Sequence, residues 1–171
     1  MASVVTLDGS RGEGGGQILR TGMALCALTG RSLEIDRIRA NRRKLGLAAQ
    51  HLTGVKAVAR ICGGTLEGAE IGSQRLRFQP GPIAGGSYRF DVSEVRASAG
   101  SSGMLFQTVL PVLAFAGAPS ELVLKGGTHT KWAPPIHFLK EVLLPTLKST
   151  GLDTGLDVET WGWYPQGGGV C

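Results

Sequence analysis

The feature that most constrains this chain is an internal repeat. Landmarks of its first half return about 85 residues later. Ala27-Leu28-Thr29-Gly30 answers to Ala114-Phe115-Ala116-Gly117, an offset of 87, and Ser32-Leu33-Glu34 to Ser120-Glu121-Leu122, an offset of 88. Gly64-Thr65-Leu66 answers to Gly151-Leu152-Asp153 at 87, and Gly85-Gly86 to Gly168-Gly169 at 83. A period of this length holds one supersecondary unit, and units that cannot bury their apolar face alone stack on a neighbour.

Each half carries the same order of signals. Val4 to Leu7 is a β-prone run, and a glycine loop from Asp8 to Gly16 follows. Gln17 to Leu28 is a mostly apolar helix that Gly30 ends. Ser32 to Ile38 alternates as a half-buried strand does. Gly46 to Cys62 carries Ala48, Leu52, Val55, Ala59 and Cys62 at helical spacing, and Thr65 to Ile71 with Arg75 to Gln79 reads as a hairpin. In the second half, Ser87 to Val92 is a strand and Ser98 to Gly103 a small-residue loop. Met104 to Ala116 is a helix bent at Pro111, and Glu121 to Lys125 is a strand. Pro135 to Thr150 is a helix disturbed at Pro145, and strands around Asp157 to Trp163 close the set. The fold class expected is α/β (α+β), with tandem βαβαββ units at 1–86 and 87–171. Right-handed crossovers place both helices of a unit on one sheet face.

Composition narrows the class. The chain has 171 residues, 42% hydrophobic and 18% charged, which favours a packed core over disorder. Its 27 glycines are roughly twice the ordinary share of about 7%, so many tight turns or close backbone approaches are built in. No apolar run nears the ~20 residues of a membrane span, and Met1 to Asp8 lacks the regions of a signal peptide. The expected setting is cytoplasmic, with no membrane partner. Three cysteines, Cys26, Cys62 and Cys171, make a poor disulfide framework, and no Cys-x-x-Cys spacing suggests zinc. The net charge of +5 permits an acidic partner without requiring one.

Four segments carry candidate chemistry. Gly12-Glu13-Gly14-Gly15-Gly16-Gln17 joins a strand to a helix start, where backbone N–H groups and the positive helix end favour an anion. It lacks both the Rossmann and the Walker patterns, and reads equally as a structural turn. Glu13, Gln17 and Arg20 are polar in an otherwise apolar context. Gln17 and Arg20 share a helix face, Arg20 can grip a phosphate, and Glu13 could orient a metal or a basic partner. The second segment is Arg37-Ile38-Arg39-Ala40-Asn41-Arg42-Arg43-Lys44, with Gln50-His51 on the next helix. Such a run is either a solvated face or a ligand-gripping loop. The third is Gln107 with Thr108, a glutamine expected to be buried and therefore partnered. The fourth is Gly126-Gly127-Thr128-His129-Thr130, leading to Trp132-Ala133-Pro134-Pro135. His129 and His137 there serve as acid/base or ligand groups, or are ordinary polar residues of an exposed loop.

Taken together, these segments resemble the RNA 3'-terminal phosphate cyclase family, and its N-terminal half in particular. The matching pieces are Leu7-Asp8-Gly9, Glu13 through Arg20, Ile38 through Arg42, Gly46-Leu47, Gln50-His51-Leu52 and Leu66 through Ser73. They continue with Ser98 through Ser101, Gln107, Gly126-Gly127-Thr128, Pro134-Pro135, Tyr164-Pro165 and Gly167 through Gly169, in collinear order. The resemblance implies a fold of repeated βαβαββ units, like those of the enolpyruvyl transferases. It also implies a ligase reaction, the ATP-dependent conversion of an RNA 3'-phosphate to a 2',3'-cyclic phosphate in RNA processing. A histidine takes AMP, AMP passes to the RNA phosphate, and the 2'-hydroxyl displaces it, with ATP and a divalent cation (Mg or Mn). By position, Gln107 matches an ATP-contacting glutamine. Glu13, Arg20, Arg39, Arg42 and His51 match the nucleotide and phosphate site, where Glu13 is the candidate metal contact. Gln17, Lys44 and Gln50 lie in the same blocks.

Four departures are visible. Asn41 stands for the family's usual glycine, and Leu45 for its proline. An insertion around Glu94-Val95-Arg96 precedes the Ser98 loop. The family's nucleophilic histidine lies in a Gly-x-His-x-x-Asp-Gln segment that none of His51, His129 and His137 matches. The expectations are therefore a cyclase polypeptide that is truncated or completed by a second, C-terminal chain, or a nucleotide- and RNA-binding remnant without turnover. An rRNA-processing relative of the cyclases is the variant of the second reading. An apolar helix face left uncovered by a missing repeat would favour self-association.

Overall fold

The computed structural model describes residues 3–95 and 100–171. Two compact units are present. Unit 1 comprises Met1–Gly86 with Thr108–Ser120, and unit 2 comprises Ser87–Gln107 with Glu121–Cys171.

Unit 1 runs β1 (Val4–Asp8), α1 (Gly16–Thr29), β2 (Ser32–Asp36), α2 (Ala49–Ile61), β3 (Thr65–Glu67) and β4 (Leu76–Gln79). Its sheet is ordered β1-β2-β4-β3, with β1 parallel to β2 and the remaining pairs antiparallel. Parallel β1 and β2 need a crossover, which α1 supplies. One face of β2 buries Leu33 and Ile35 completely, and β4 adds Leu76 and Phe78. Leu19 and Met23 of α1, and Leu52, Val55, Val58 and Ile61 of α2, complete this core. The two helices pack against each other.

Unit 2 follows this order with one strand fewer among the described residues: β5 (Ser87–Asp91), α3 (Ser102–Leu113, which runs on into unit 1), β6 (Glu121–Gly126), a second helical segment, then β7 (Gly169–Val170). The sheet is β5-β6-β7, parallel then antiparallel. Equivalent elements start 83 residues apart (Val4, Ser87), 86 (Gly16, Ser102), 89 (Ser32, Glu121) and 87 (Ala49, Ile136).

Several boundaries differ from the sequence reading. The strand expected to reach Ile38 stops at Asp36, because Arg37 turns to a φ of 53°. The helix expected from Gly46 begins at Ala49. Gly46 has a φ of 70°, and Leu47 instead exchanges backbone hydrogen bonds with Gly72 (2.8 Å) and Ser73 (3.0 Å). Those bonds draw the Gly68 to Arg75 connection away from the hairpin, which leaves only Thr65–Glu67 paired with Leu76–Gln79. The Pro135 to Thr150 helix is α4 (Ile136–Phe138), a π-helical stretch (Leu139–Leu143) and α5 (Leu144–Lys148). Pro145 has no N–H to continue the ladder, and the wider register accommodates that loss. In place of strands around Asp157 to Trp163, the chain forms isolated bridges, Thr160 with Val170 and Trp163 with Gly167. Gly162 brings its backbone so near Gly169 that a Cβ there would lie 2.2 Å from the Gly169 nitrogen. Arg96, Ser98 and Ala99, part of the expected insertion and small-residue loop, lie outside the described residues.

Candidate functional site

The glycine loop and the basic loop of unit 1 meet. Both follow the C-terminal ends of the parallel strands β1 and β2, where open α/β sheets gather their ligand-binding loops. Asn41 ties them by donating from Nδ2 to the Ser10 carbonyl at 2.7 Å. Arg42 ties them again, its Nη2 2.8 Å from Glu13 Oε2. Beneath the basic loop, Arg37 pairs with Asp8 and holds that carboxyl well below the usual carboxylate range. Arg37 and Arg39 both sit at positive φ, 53° and 58°, a backbone state that non-glycine residues adopt at a cost and that clusters at functional sites.

Around this junction stand Arg20, Arg39 and His51, all half-buried. His51 Nδ1 accepts the Ala48 backbone N–H at 3.2 Å, which leaves Nε2 to carry the ring proton. Burial, and then the charges of Arg39 and Arg20, push its pKa down to about 4, so the ring is neutral at pH 7. Burial also depresses Arg20, and burial with the neighbouring Arg42 depresses Arg39. Guanidinium groups stay charged through such shifts. Gly16, at the start of α1, keeps the space open. A Cβ there would lie 2.4 Å from His51 Nε2 and 2.9 Å from Arg20 Nη1.

The arrangement is a partly dehydrated set of cations and a neutral N–H donor gathered at a helix start. It suits an anion of several oxygens. It does not suit a resident divalent cation. Glu13 is engaged by Arg42, and the described residues contain no group of three or more His, Cys, Asp and Glu side chains able to hold a metal. A cleft of about 780 Å³ lies beside the site along β1 and α1, lined mainly by Val5, Leu7, Ile18 and Leu25. None of Arg20, Arg39, Arg42 and His51 borders it.

A profile of the RNA 3'-terminal phosphate cyclase family matches residues 11–171. The chain belongs to that family. Among similar proteins, the RNA 3'-terminal phosphate cyclase of Methylococcus capsulatus is 51% identical over 170 residues, which cover 98% of this chain and 47% of the relative. Those of Ralstonia nicotianae and a Nostoc species are 52% and 49% identical, covering 98% and 97% of this chain and 47% and 49% of theirs. The chain spans about half the length of the curated cyclase relatives it matches.

Of the positions matched through the cyclase resemblance, the structure brings Glu13, Arg20, Arg39, Arg42 and His51 together on unit 1. Gln17 faces outward, accepting from Arg20 (3.0 Å) and donating to Thr21 (2.8 Å), as the shared helix face required. Gln50 is half-buried in the first turn of α2, and Lys44 gives its carbonyl to Arg39 Nε at 3.3 Å. Gln107 belongs to unit 2 and is half-buried rather than buried. Pro111 has no N–H for the Gln107 carbonyl four residues earlier, so the α3 ladder is open there. The sequence reading missed the two ties from Asn41 and Glu13. Asn41, a departure from the family's glycine, was the available signal. Unit 1 holds 12 Lys and Arg against 6 Asp and Glu, while unit 2 holds 6 against 7. The surplus positive charge is thus carried wholly by the unit with the anion site. Among the described residues, no helix is long and apolar enough to cross a membrane.

Proposed function

We propose that this chain supplies the phosphate-gripping part of an ATP-dependent RNA 3'-phosphate cyclase. The observation that carries the reading is the junction of Arg20, Arg39 and neutral His51 around Gly16. Two guanidiniums offer paired donors to phosphate oxygens, and the imidazole Nε2–H and the N–H groups opening α1 add donors without more charge. A phosphate seated there is oriented and partly dehydrated before reaction, which lowers the entropic part of a phosphoryl-transfer barrier. The electron-withdrawing pull of the same cations makes phosphorus easier to attack as negative charge accumulates on its oxygens. In the full reaction, AMP from ATP activates the RNA 3'-phosphate by way of a histidine, with diphosphate released, and the adjacent 2'-hydroxyl closes the ring as AMP departs. Gln107 is the candidate contact to ATP. Any divalent cation arrives with the polyphosphate, because the protein side chains gathered here do not cage one.

Binding tests the reading directly. Calorimetry with ATP and with a single-stranded oligoribonucleotide should give binding that weakens steeply with salt. An oligonucleotide ending in 3'-phosphate should bind at least tenfold tighter than the 3'-hydroxyl form, and Arg20→Ala and Arg39→Ala should erase that preference. Equal affinity for the two ends would sink the proposal. The histidines here lie outside any Gly-x-His-x-x-Asp-Gln context, so the 171-residue chain should not retain label from α-labelled ATP on denaturing electrophoresis. A stable labelled adduct would instead assign the nucleophile to one of His51, His129 and His137.

A further inference from the structure

We infer that unit 2 carries a stacking platform for unpaired bases of a single-stranded nucleic acid, built on Trp161 and Trp163. His129 lies parallel to the Trp163 indole, with ring centroids 4.3 Å apart and planes 19° apart. His137 lies parallel to Trp161, at 4.9 Å and 16°. The two stacks are joined by a hydrogen bond between His129 Nε2 and His137 Nδ1 at 3.1 Å. Each indole is stacked against an imidazole, yet Trp161 remains 46% and Trp163 58% exposed, so both keep ring surface open to water.

The platform is held from below. Thr128 is buried, and its hydroxyl donates to the Gly162 carbonyl (3.0 Å) while accepting the Gly162 N–H (3.1 Å). Gly162 is the residue between the two tryptophans, so this pair of bonds sets the position of both. The same hydroxyl lies 3.0 Å from His129 Nδ1. With His129 neutral, its Nδ1–H donates to Thr128 and its Nε2 accepts from His137 Nδ1–H. In the loop between the histidines, Trp132 is 98% exposed at a φ of 63°. A wholly exposed indole on a strained backbone gains nothing for the core and needs another use.

Ordered aromatic faces open to water, with polar ring edges beside them, are the surfaces on which unpaired bases stack. The balanced charge of unit 2 indicates what kind of contact this is. Phosphates gain little from a unit with 6 basic and 7 acidic residues, whereas a base stacks regardless of charge. The inference rests on the cyclase reading and deepens it by naming the bases of a single-stranded RNA as what unit 2 receives.

All three tryptophans of the chain lie in this region, at positions 132, 161 and 163, so selectively excited tryptophan fluorescence reports on it alone. Titrating the full chain with a 3'-phosphorylated oligoribonucleotide should quench that emission. Trp163→Ala and Trp161→Ala should each weaken oligonucleotide binding about tenfold, with Trp163→Phe restoring most of the loss. Circular dichroism should show unchanged helix content in the variants. An oligonucleotide with abasic sugars should bind as weakly as wild type binds free inorganic phosphate, and ATP binding should be untouched by the tryptophan variants. Unchanged oligonucleotide affinity in both folded alanine variants, or full affinity of the abasic strand, overturns the platform. Equal loss of ATP and oligonucleotide binding overturns the assignment to a strand in favour of a mononucleotide. The phosphate site is scored separately: failure of Arg20→Ala to reduce the 3'-phosphate preference rejects the cyclase reading while leaving the platform standing.

Discussion

His51 and Ala48 are joined by a hydrogen bond in which the imidazole Nδ1 accepts the Ala48 N–H at 3.2 Å, just ahead of α2. Protonating that nitrogen would remove the acceptor and place a third cation beside Arg39 and Arg20. Burial of the ring, which disfavours its charged form, and then the Arg39 and Arg20 charges act in the folded state only, and they hold the His51 pKa at about 4 against 6.5 unfolded. The sign follows from proton binding. Between these values the unfolded chain binds more protons, so stability rises with pH. The contribution is complete above pH 6.5 and is lost as pH falls toward 4. Each tenfold difference in proton affinity corresponds to about 1.4 kcal/mol. Titration of the His51 ring signals by NMR should give a midpoint near 4, and His51→Gln should flatten the acid limb of a urea-stability profile. A midpoint near 6.5 would contradict the half-buried, cation-flanked site.

The Glu13–Arg42 pair should matter more to the ligand than to the fold. Glu13's side chain is 88% exposed, and ion pairs so placed contribute about 0–1 kcal/mol. Glu13→Gln is therefore expected to unfold within about 1 kcal/mol of wild type. The freed Arg42 should bind inorganic pyrophosphate at least as tightly as before, and with a steeper salt dependence. Should pyrophosphate affinity instead collapse in this variant, the carboxylate has a direct part in ligand binding.

Three glycines separate stability from function. Gly46 combines a φ of 70° with a Cβ position 2.1 Å from the Gly72 carbonyl oxygen, a backbone obstacle that cannot swing aside. Gly46→Ala should cost roughly 2–4 kcal/mol in urea denaturation. Gly30→Ala, at a similar φ of 66° but facing open space, should cost only about 1–2 kcal/mol. Gly16→Ala meets side chains rather than backbone, the His51 ring edge and the Arg20 Nη1 tip. It should cost less in denaturation than Gly46→Ala while weakening phosphate binding about tenfold or more, because the two groups that must yield are the ligand donors.

How far the sequence could lead depended on the range of the forces involved. Helices and strands with a sustained period, such as α1 and β6, were legible because local burial decides them. Strand ends were less so. Whether β2 stops at Asp36 or runs to Ile38 is decided by Arg37, whose positive φ accompanies an ion pair with Asp8, 29 residues away in sequence. The candidate anion residues were legible as types in loops, and the share of Glu13 in an ion pair was not. The coupled rings at 129, 137, 161 and 163 were not legible either. They meet through the Thr128–Gly162 bonds, a contact across 34 residues that no local pattern announces.

Asn41 offers the sharpest test of the loop junction. Its amide nitrogen donates to the Ser10 carbonyl at 2.7 Å, and an added Cβ on Gly14 would stand 3.2 Å from its own Cβ, so the two loops touch at this residue. Asn41→Ala removes one hydrogen bond and should cost about 0.5–1.5 kcal/mol. Asn41→Asp is the more informative change. It replaces the donor with an oxygen facing the Ser10 carbonyl, so two acceptors oppose each other and the loops separate. It also sets a negative charge next to Arg42, where it competes with an incoming phosphate. Stability should fall further than for alanine, and pyrophosphate affinity should drop by a larger factor at low salt than at high salt, because the charge term is screened. The comparison of the two variants at two ionic strengths then separates the role of the tie from the role of the charge.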